Sequence, residues 1–234
     1  MSDVRRSETL TGSVEVAFPE FRTPPAEPLG LLSSWLKAAT ELGVREPRAL
    51  ALATADAQGR PSSRILAVNQ ITDTGLVFIT HAGSQKGRDL AANPHASGVL
   101  YWRETSQQIT LAGPVVQLPR AEAEQLWAAR AVFTHPMSTV SLQSEPLRDL
   151  DHLEEIRERA LALGEPARPL PCPEAFVGYR LEPDSVEFWA NGTDRLHERL
   201  RYDRTSQNQN QNQDQDQDQD QDQDRGWTVT RLQP

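Results

Sequence analysis

The stretch Arg195-Leu-His-Glu-Arg-Leu-Arg201 is the densest group of residues able to hold an anion. Read as a strand, it puts Arg195, His197, Arg199 and Arg201 on one face and Leu196, Glu198, Leu200 and Tyr202 on the other, because strand side chains alternate. Such a row repels itself unless an anion faces it, although a solvated edge strand that discourages edge pairing has the same pattern. Ser84-Gln-Lys86 is a second anion signal, since a helix start offers free N–H groups and a partial positive charge, to which Lys86 adds a full one. A capping serine and a solvated lysine would look the same. Arg64 opens the apolar run Arg64-Ile-Leu-Ala-Val68 beside Ser62 and Ser63, where an arginine either points outward or grips an anion. Gln107-Gln108 and Gln143-Ser144 add uncharged donors and acceptors, and Trp189 is either core or a flat wall for an aromatic ligand.

Other chemistries lack their residues. His81, His95, His135, His152 and His197 show no metal-ligand spacing, so no metal site is expected. Cys172, the only cysteine, lies in a Pro-rich connector and is a poor candidate for a nucleophile. The chain has no Gly-x-Gly-x-x-Gly after a strand, no Gly-x4-Gly-Lys-Ser/Thr, no Gly-x-Ser-x-Gly and no His-Glu-x-x-His. Anion grips without a self-sufficient catalytic set suit a protein that holds a phosphorylated, aromatic cofactor and lets it do the chemistry.

The elements that must position these residues are mostly short strands. Apolar residues at helical spacing predict a helix over Pro28 to Leu42, with Pro28 in its first turn and Gly43 as C-cap. Strands are expected at Ala49–Thr54, Arg64–Val68, Leu76–Thr80, Ala96–Trp102 and Gln107–Leu118, with Pro114 marking an edge or a bulge in the last of these. A short helix over Ser84–Ala92 ends at Asn93-Pro94. Helices over Ala121–Arg130 and Leu147–Leu163 follow, the second with Leu147, Leu150, Leu153, Ile156, Ala160 and Leu163 on one stripe. Further strands are Phe176–Leu181, Val186–Trp189, Arg195–Tyr202 and Trp227–Leu232, with Asn191-Gly192 as a hairpin turn. Antiparallel hairpins with peripheral helices predict a mainly β fold, a small β-barrel rather than a doubly wound sheet.

With 234 residues, one domain over residues 28–234 is expected, preceded by a polar, mobile arm at residues 1–27. Gln207 to Asp224 holds three Gln-Asn and then six Gln-Asp pairs, which predicts a disordered loop insertion at residues 206–225. Its six aspartates account for most of the net charge of −9, leaving −3 on the rest. That weak charge argues against a general nucleic-acid binder and gives no hint of membrane affinity. A lone cysteine, no apolar signal core and no membrane-length apolar run predict a soluble, cytoplasmic protein.

Arg64-Ile-Leu-Ala-Val68, Thr80 with Ser84-Gln-Lys86, Gln108, Gln143-Ser144, Val186-Glu-Phe-Trp-Ala-Asn-Gly192 and Arg195-Leu-His-Glu-Arg199 together resemble the pyridoxamine 5'-phosphate oxidase family of FMN-binding split barrels. The resemblance implies a split β-barrel homodimer with FMN at its interface. Arg64, Ser84 and Lys86 would hold the FMN phosphate, and Ile65, Leu66, Thr80 and Gln108 would line the rest of the cofactor. Gln143, Ser144, Trp189 and Arg199 would reach it from the second subunit. Arg130, Thr134, Arg195 and His197 match substrate positions. Asn69 stands where the vitamin B6 enzymes have a lysine, and Leu126 or Trp127 where they have a tyrosine. Losing that cation and that phenol would weaken a substrate-phosphate site by about 2 to 4 kcal/mol.

Around Gly43-Val-Arg-Glu-Pro-Arg-Ala-Leu-Ala-Leu-Ala-Thr54, Gly98-Val-Leu-Tyr-Trp-Arg103 and Thr134-His-Pro-Met137 the chain is more similar to a branch from phenazine biosynthesis. That branch implies an FMN-dependent oxidase that takes hydride from partly reduced phenazine carboxylic acids and is reoxidised by O2. A pyridoxamine/pyridoxine 5'-phosphate oxidase and a non-catalytic flavin or haem binding protein are the alternatives.

Overall fold

The computed structural model describes residues 12–164, 167–192, 196–205 and 226–234. Helix α1 (Pro28–Glu41) is followed by strands β1 (Ala49–Ala55), β2 (Pro61–Ala67), β3 (Gln70–Ile71) and β4 (Leu76–His81), then helix α2 (Gln85–Ala92). Strands β5 (His95–Trp102) and β6 (Gln107–Gln117) lead to helices α3 (Arg120–Ala128), α4 (His135–Val140) and α5 (Leu150–Gly164). Strands β7 (Phe176–Leu181), β8 (Ser185–Ala190), β9 (Glu198–Arg204) and β10 (Trp227–Leu232) complete the chain.

All strand pairs are antiparallel, in the order β10-β9-β8-β6-β5-β1-β2, with β6 also carrying β7, then β4 and β3. Strand β6 makes the corner: residues 107–112 pair with β8, and residues 115–117 with β7. Gly113-Pro114 sits at the switch. Proline donates no hydrogen bond there, and a Cβ on Gly113 would lie 2.3 Å from the Glu182 carbonyl oxygen, so only glycine allows the close approach. The sheet thus curls into a half-barrel, open between β2 and β4. The mainly β, split-barrel expectation holds.

Alternation puts Leu50, Leu52, Leu100, Ile109, Leu111, Val186, Phe188 and Leu200 on the concave face, where all are buried. Each buried leucine or phenylalanine contributes about 1.5–3 kcal/mol. Helix α1 closes this core with Trp35, whose ring meets Phe188 edge-on at 5.2 Å and Phe18 at 4.7 Å. A smaller cluster of Ala123, Trp127 and Phe176 seats α3 on β7. Among the described residues, no helix is long and apolar enough to cross a membrane.

Several expectations need correction. The arm expected to be mobile is attached to the body at points within residues 18–25: Phe18 is in the core, the Tyr202 hydroxyl donates to the Pro25 carbonyl, and Arg231 donates to the Phe21 and Arg22 carbonyls. Residues 1–11 and the Gln-Asp tract at 206–225 lie outside the described residues. Asn191-Gly192 does not form a two-residue hairpin, because Ala190 pairs with Glu198 and the whole segment 191–197 makes the connection. Consequently β9 starts at Glu198 and His197 precedes it. The α5 stripe is largely exposed, with Ala160 its one buried residue. Helix α4 was not anticipated.

Candidate functional site

The split is bridged by α2. Ser84, fully buried, caps this helix by accepting from the Gly87 amide at 3.3 Å. A Cβ on Gly87 would lie 2.2 Å from the Ala82 carbonyl oxygen, so glycine lets the helix start press against the end of β4. Farther along α2, buried Asp89 accepts from Thr54 Oγ1 at 2.7 Å, Ser62 Oγ at 2.8 Å and Gln85 Nε2 at 2.8 Å, which ties the helix to β1 and β2. Arg64 shares that network. Its Nη1 donates to Thr54 Oγ1 (2.7 Å) and the Leu52 carbonyl (3.3 Å), its Nη2 to Ser62 Oγ (2.6 Å), and Nη2 lies 3.8 Å from Asp89 Oδ2.

Across the opening, Lys86 Nζ donates to Thr80 Oγ1 at 2.9 Å and Ser84 Oγ at 3.3 Å. Thr80 Oγ1 donates to Gln143 Oε1 at 3.3 Å, and the Gln85 amide donates to Ser144 Oγ at 3.1 Å. Gln143 and Ser144 therefore reach this cluster within their own chain, whereas the resemblance implies that they reach the flavin from the second subunit. The segment that follows α4 wraps back onto the start of α2, which no local sequence pattern reveals.

The cluster carries excess positive charge. Burial and the nearby Arg64 push the Lys86 amine down, while burial lowers Arg64 against the pull of Asp89. Burial, Arg130 and Lys86 together hold the His81 imidazole below its ordinary range. Burial also lowers Arg130, whose guanidinium lies 5.3 Å from the Trp127 ring centre and 5.5 Å from that of Phe176. Among the described residues, Asp89 is the one carboxylate within this group. Burial would raise it, but hydrogen bonds from Thr54, Ser62 and Gln85 and the charge of Arg64 outweigh that and leave it lowered. Its oxygens are thus already engaged. A partly desolvated arginine and lysine at a helix start fit a phosphate group, and so fit FMN.

A second group lies on the convex face. Gln108, Trp189 and Arg199 are in register across β6, β8 and β9. The Trp189 ring centre lies 4.9 Å from that of His197, and Gln108 Nε2 donates to Thr110 Oγ1 at 3.1 Å. Arg199 Nε donates to Glu187 Oε1 at 2.8 Å, and Arg201 pairs with Asp203 at 2.9 Å. The anions facing this row are therefore carboxylates of the same chain. Arg64 sits on the concave face, five interstrand steps from Arg199, or about 24 Å along the sheet. One chain does not bring these two groups together. Ile65 is 67% exposed on the convex face, while Leu66 turns inward to the core.

Of the substrate positions, Arg130 lies beside His81, and Thr134 caps the turn after α3 by donating to the Ala131 carbonyl at 2.7 Å. Asn69 is exposed at the β2–β3 turn, and Arg195 lies outside the described residues. Sequence reasoning missed His81, Asp89 and Thr54. Asp89, one helical turn beyond Gln85 with which it pairs, was the available signal, but its partners on β1 and β2 exist only in the folded chain.

Two family models match: "Pyridoxamine 5'-phosphate oxidase" over residues 36–160 and "Pyridoxine 5'-phosphate oxidase C-terminal dimerisation region" over 176–234. A dihydrophenazinedicarboxylate synthase of Pseudomonas chlororaphis is 52% identical, covering 97% of this chain and 93% of the relative. One of Burkholderia lata is 51% identical, with 98% of each covered. A pyridoxine/pyridoxamine 5'-phosphate oxidase of Paraburkholderia phymatum is 35% identical over 100% of this chain and 99% of its own. Among solved structures, PhzG from Burkholderia lata in complex with tetrahydrophenazine-1-carboxylic acid has a TM-score of 0.84 at 47% identity, covering 95% of this chain and 100% of that one. With half-barrel, capped helix start and both segments in agreement, the chain belongs to the pyridoxamine 5'-phosphate oxidase family.

Proposed function

We infer that this protein is an FMN-dependent oxidase of phenazine biosynthesis, acting as a homodimer on a small, partly reduced phenazine carboxylic acid. One observation carries the reading: the relatives at 52% and 51% identity over nearly the whole chain are both dihydrophenazinedicarboxylate synthases. The ligand of the similar PhzG structure, a tetrahydrophenazine carboxylic acid, is of the same chemical class.

In this reading Arg64, Ser84 and Lys86 hold the FMN phosphate, Ile65, Leu66, Thr80 and Gln108 line the remainder, and Gln143 and Ser144 reach the flavin. The matched dimerisation region supports a two-fold arrangement in which Trp189 and Arg199 of a second copy reach the cofactor. Bound FMN supplies the two-electron acceptor. Arg130, Arg195, His197, Thr134 and Asn69 face the substrate, the cations pairing with its carboxylate while the flat rings align with the flavin. Aromatisation of the product drives the reaction, so the protein has to position and neutralise more than to activate. Electrons pass to O2, in a cytoplasmic setting that suits a single free cysteine.

The test is to add reduced phenazine-1-carboxylic acid to the flavin-loaded protein and to follow the oxidised phenazine chromophore and oxygen consumption. Turnover supports the reading. No turnover, together with release of pyridoxal 5'-phosphate from pyridoxine 5'-phosphate, refutes it in favour of the vitamin B6 activity.

A further inference from the structure

Beside Arg130 lies a cavity of about 60 Å³, with Thr80, His81, Ser138 and Gln143 on its polar side and Ile79 and Phe176 on its apolar side. A water needs about 10–15 Å³ of such volume, so there is room for a few waters or one carboxylate group. His81, at the end of β4, is 5% exposed, and its Nδ1 is buried without a hydrogen-bond partner. Buried polar atoms normally find a partner, and because His81 lines this cavity a ligand entering it can supply one.

The groups around His81 define that ligand. Lys86 from α2 and Arg130 from the end of α3 bring two positive charges, α4 brings the Ser138 backbone carbonyl, and β7 brings Phe176, its register partner. None of the groups acting on His81 is a carboxylate. The Arg130 guanidinium lies over the Trp127 and Phe176 rings and, among the described residues, pairs with no carboxylate of the chain. Arg130 is thus held in place with its hydrogen-bond donors available, beside a neutral imidazole.

We propose that the carboxylate of the aromatic acid substrate enters this cavity against Arg130 and that His81 takes up a proton as it does so. A neutral Nδ1 offers a lone pair and repels a carboxylate oxygen, whereas the protonated ring donates to it. With the cofactor phosphate against Lys86, Arg130 is the cation left facing the imidazole, and the incoming carboxylate offsets it, so binding and protonation favour each other. This rests on the proposed function and adds to it a specificity residue and a pH dependence. In the chain without ligands His81 is held below its ordinary value of 6.5, and the bound carboxylate must raise it for the coupling to hold. Between the two values each ligand takes up close to one proton, and Kd rises by up to about tenfold per pH unit. A carboxyl group itself titrates at about pH 4, so proton uptake measured well above that pH is not its own.

The experiment uses the flavin-loaded dimer with phenazine-1-carboxylic acid as probe. Titration calorimetry from pH 5 to 8, in buffers with different heats of protonation, counts the protons taken up. The expected result is an uptake approaching one proton and a Kd that rises with pH, both lost in His81→Asn and both kept in a variant of the exposed His95, His95→Asn. Tight binding without proton uptake, or uptake unchanged in His81→Asn, overturns the proposal and leaves the assigned function standing. Failure of the probe to bind at any pH overturns the function and the proposal together. Should His81→Asn not fold, the titration of the His81 ring by NMR in the wild-type protein, with and without probe, replaces it: an unchanged pKa on binding refutes the coupling.

Discussion

Replacing Arg64 and Lys86 separately by methionine tests the phosphate site by its arithmetic. Arginine has five N–H donors. Three bonds, to Leu52, Thr54 and Ser62, leave two for a ligand, a pair suited to a phosphate. Lysine has three donors, and bonds to Thr80 and Ser84 leave one. A hydrogen bond to a charged group is worth about 1.5–3 kcal/mol, so Arg64→Met should cost about 3–6 kcal/mol of FMN binding and Lys86→Met about half as much. In Kd these are losses of about 10²- to 10⁴-fold and about 10- to 150-fold. The Arg64 side chain is 19% exposed, so solvent screening favours the lower end. Asp89 keeps its bonds to Thr54, Ser62 and Gln85 in Arg64→Met, which preserves the α2 attachment. The assay is titration of apoprotein into FMN, followed by flavin fluorescence, with circular dichroism as the fold control. If folded Arg64→Met binds FMN within about threefold of wild type, or if Lys86→Met is the more damaging change, the donor count is wrong and the phosphate lies elsewhere.

Other outcomes follow from the packing. Tyr202→Phe removes a buried hydroxyl that burial and Glu20 push up to about 12 and that donates to the Pro25 carbonyl at 3.0 Å. It should cost about 0.5–1.5 kcal/mol in urea unfolding and speed proteolysis within residues 12–27, and unaltered proteolysis would mean that this bond does not anchor the segment. Asp89 titrates below its ordinary 3.8 when folded, so its contribution is present above that value and is lost as pH falls through the folded one. The stability gap between wild type and Asp89→Asn should therefore narrow as pH falls below 3.8, and a pH-independent gap in melting experiments would contradict the network. Replacing residues 207–224 by a short Gly-Ser turn should leave melting temperature and flavin content unchanged, because the Thr205 amide already donates to the Gly226 carbonyl at 3.0 Å and closes the β9–β10 ladder. Lower flavin content would give the tract a function beyond connection.

The sequence alone determined whatever depends on local spacing. Alternation fixed the strands and their buried faces, from Leu50 and Leu52 to Leu200 and Tyr202, and Ser84 announced the start of α2 as its cap. The grouping of Arg64, Thr80, Lys86, Gln143 and Ser144 was legible only through resemblance to a family, because these residues lie on separate elements. Tertiary structure decided the rest. Whether Phe18 is mobile or buried depends on a pocket made by α1 and the far end of the sheet, and whether Arg199 is bare depends on Glu187 across a strand pair. The length of the β8–β9 connection follows from register, which Asn191-Gly192 alone does not set. His81 looked like one more histidine without metal spacing. Its significance comes from Arg130, Lys86 and Ser138 closing around it, since the solvation and charge around a titratable group belong to the fold rather than to the residue.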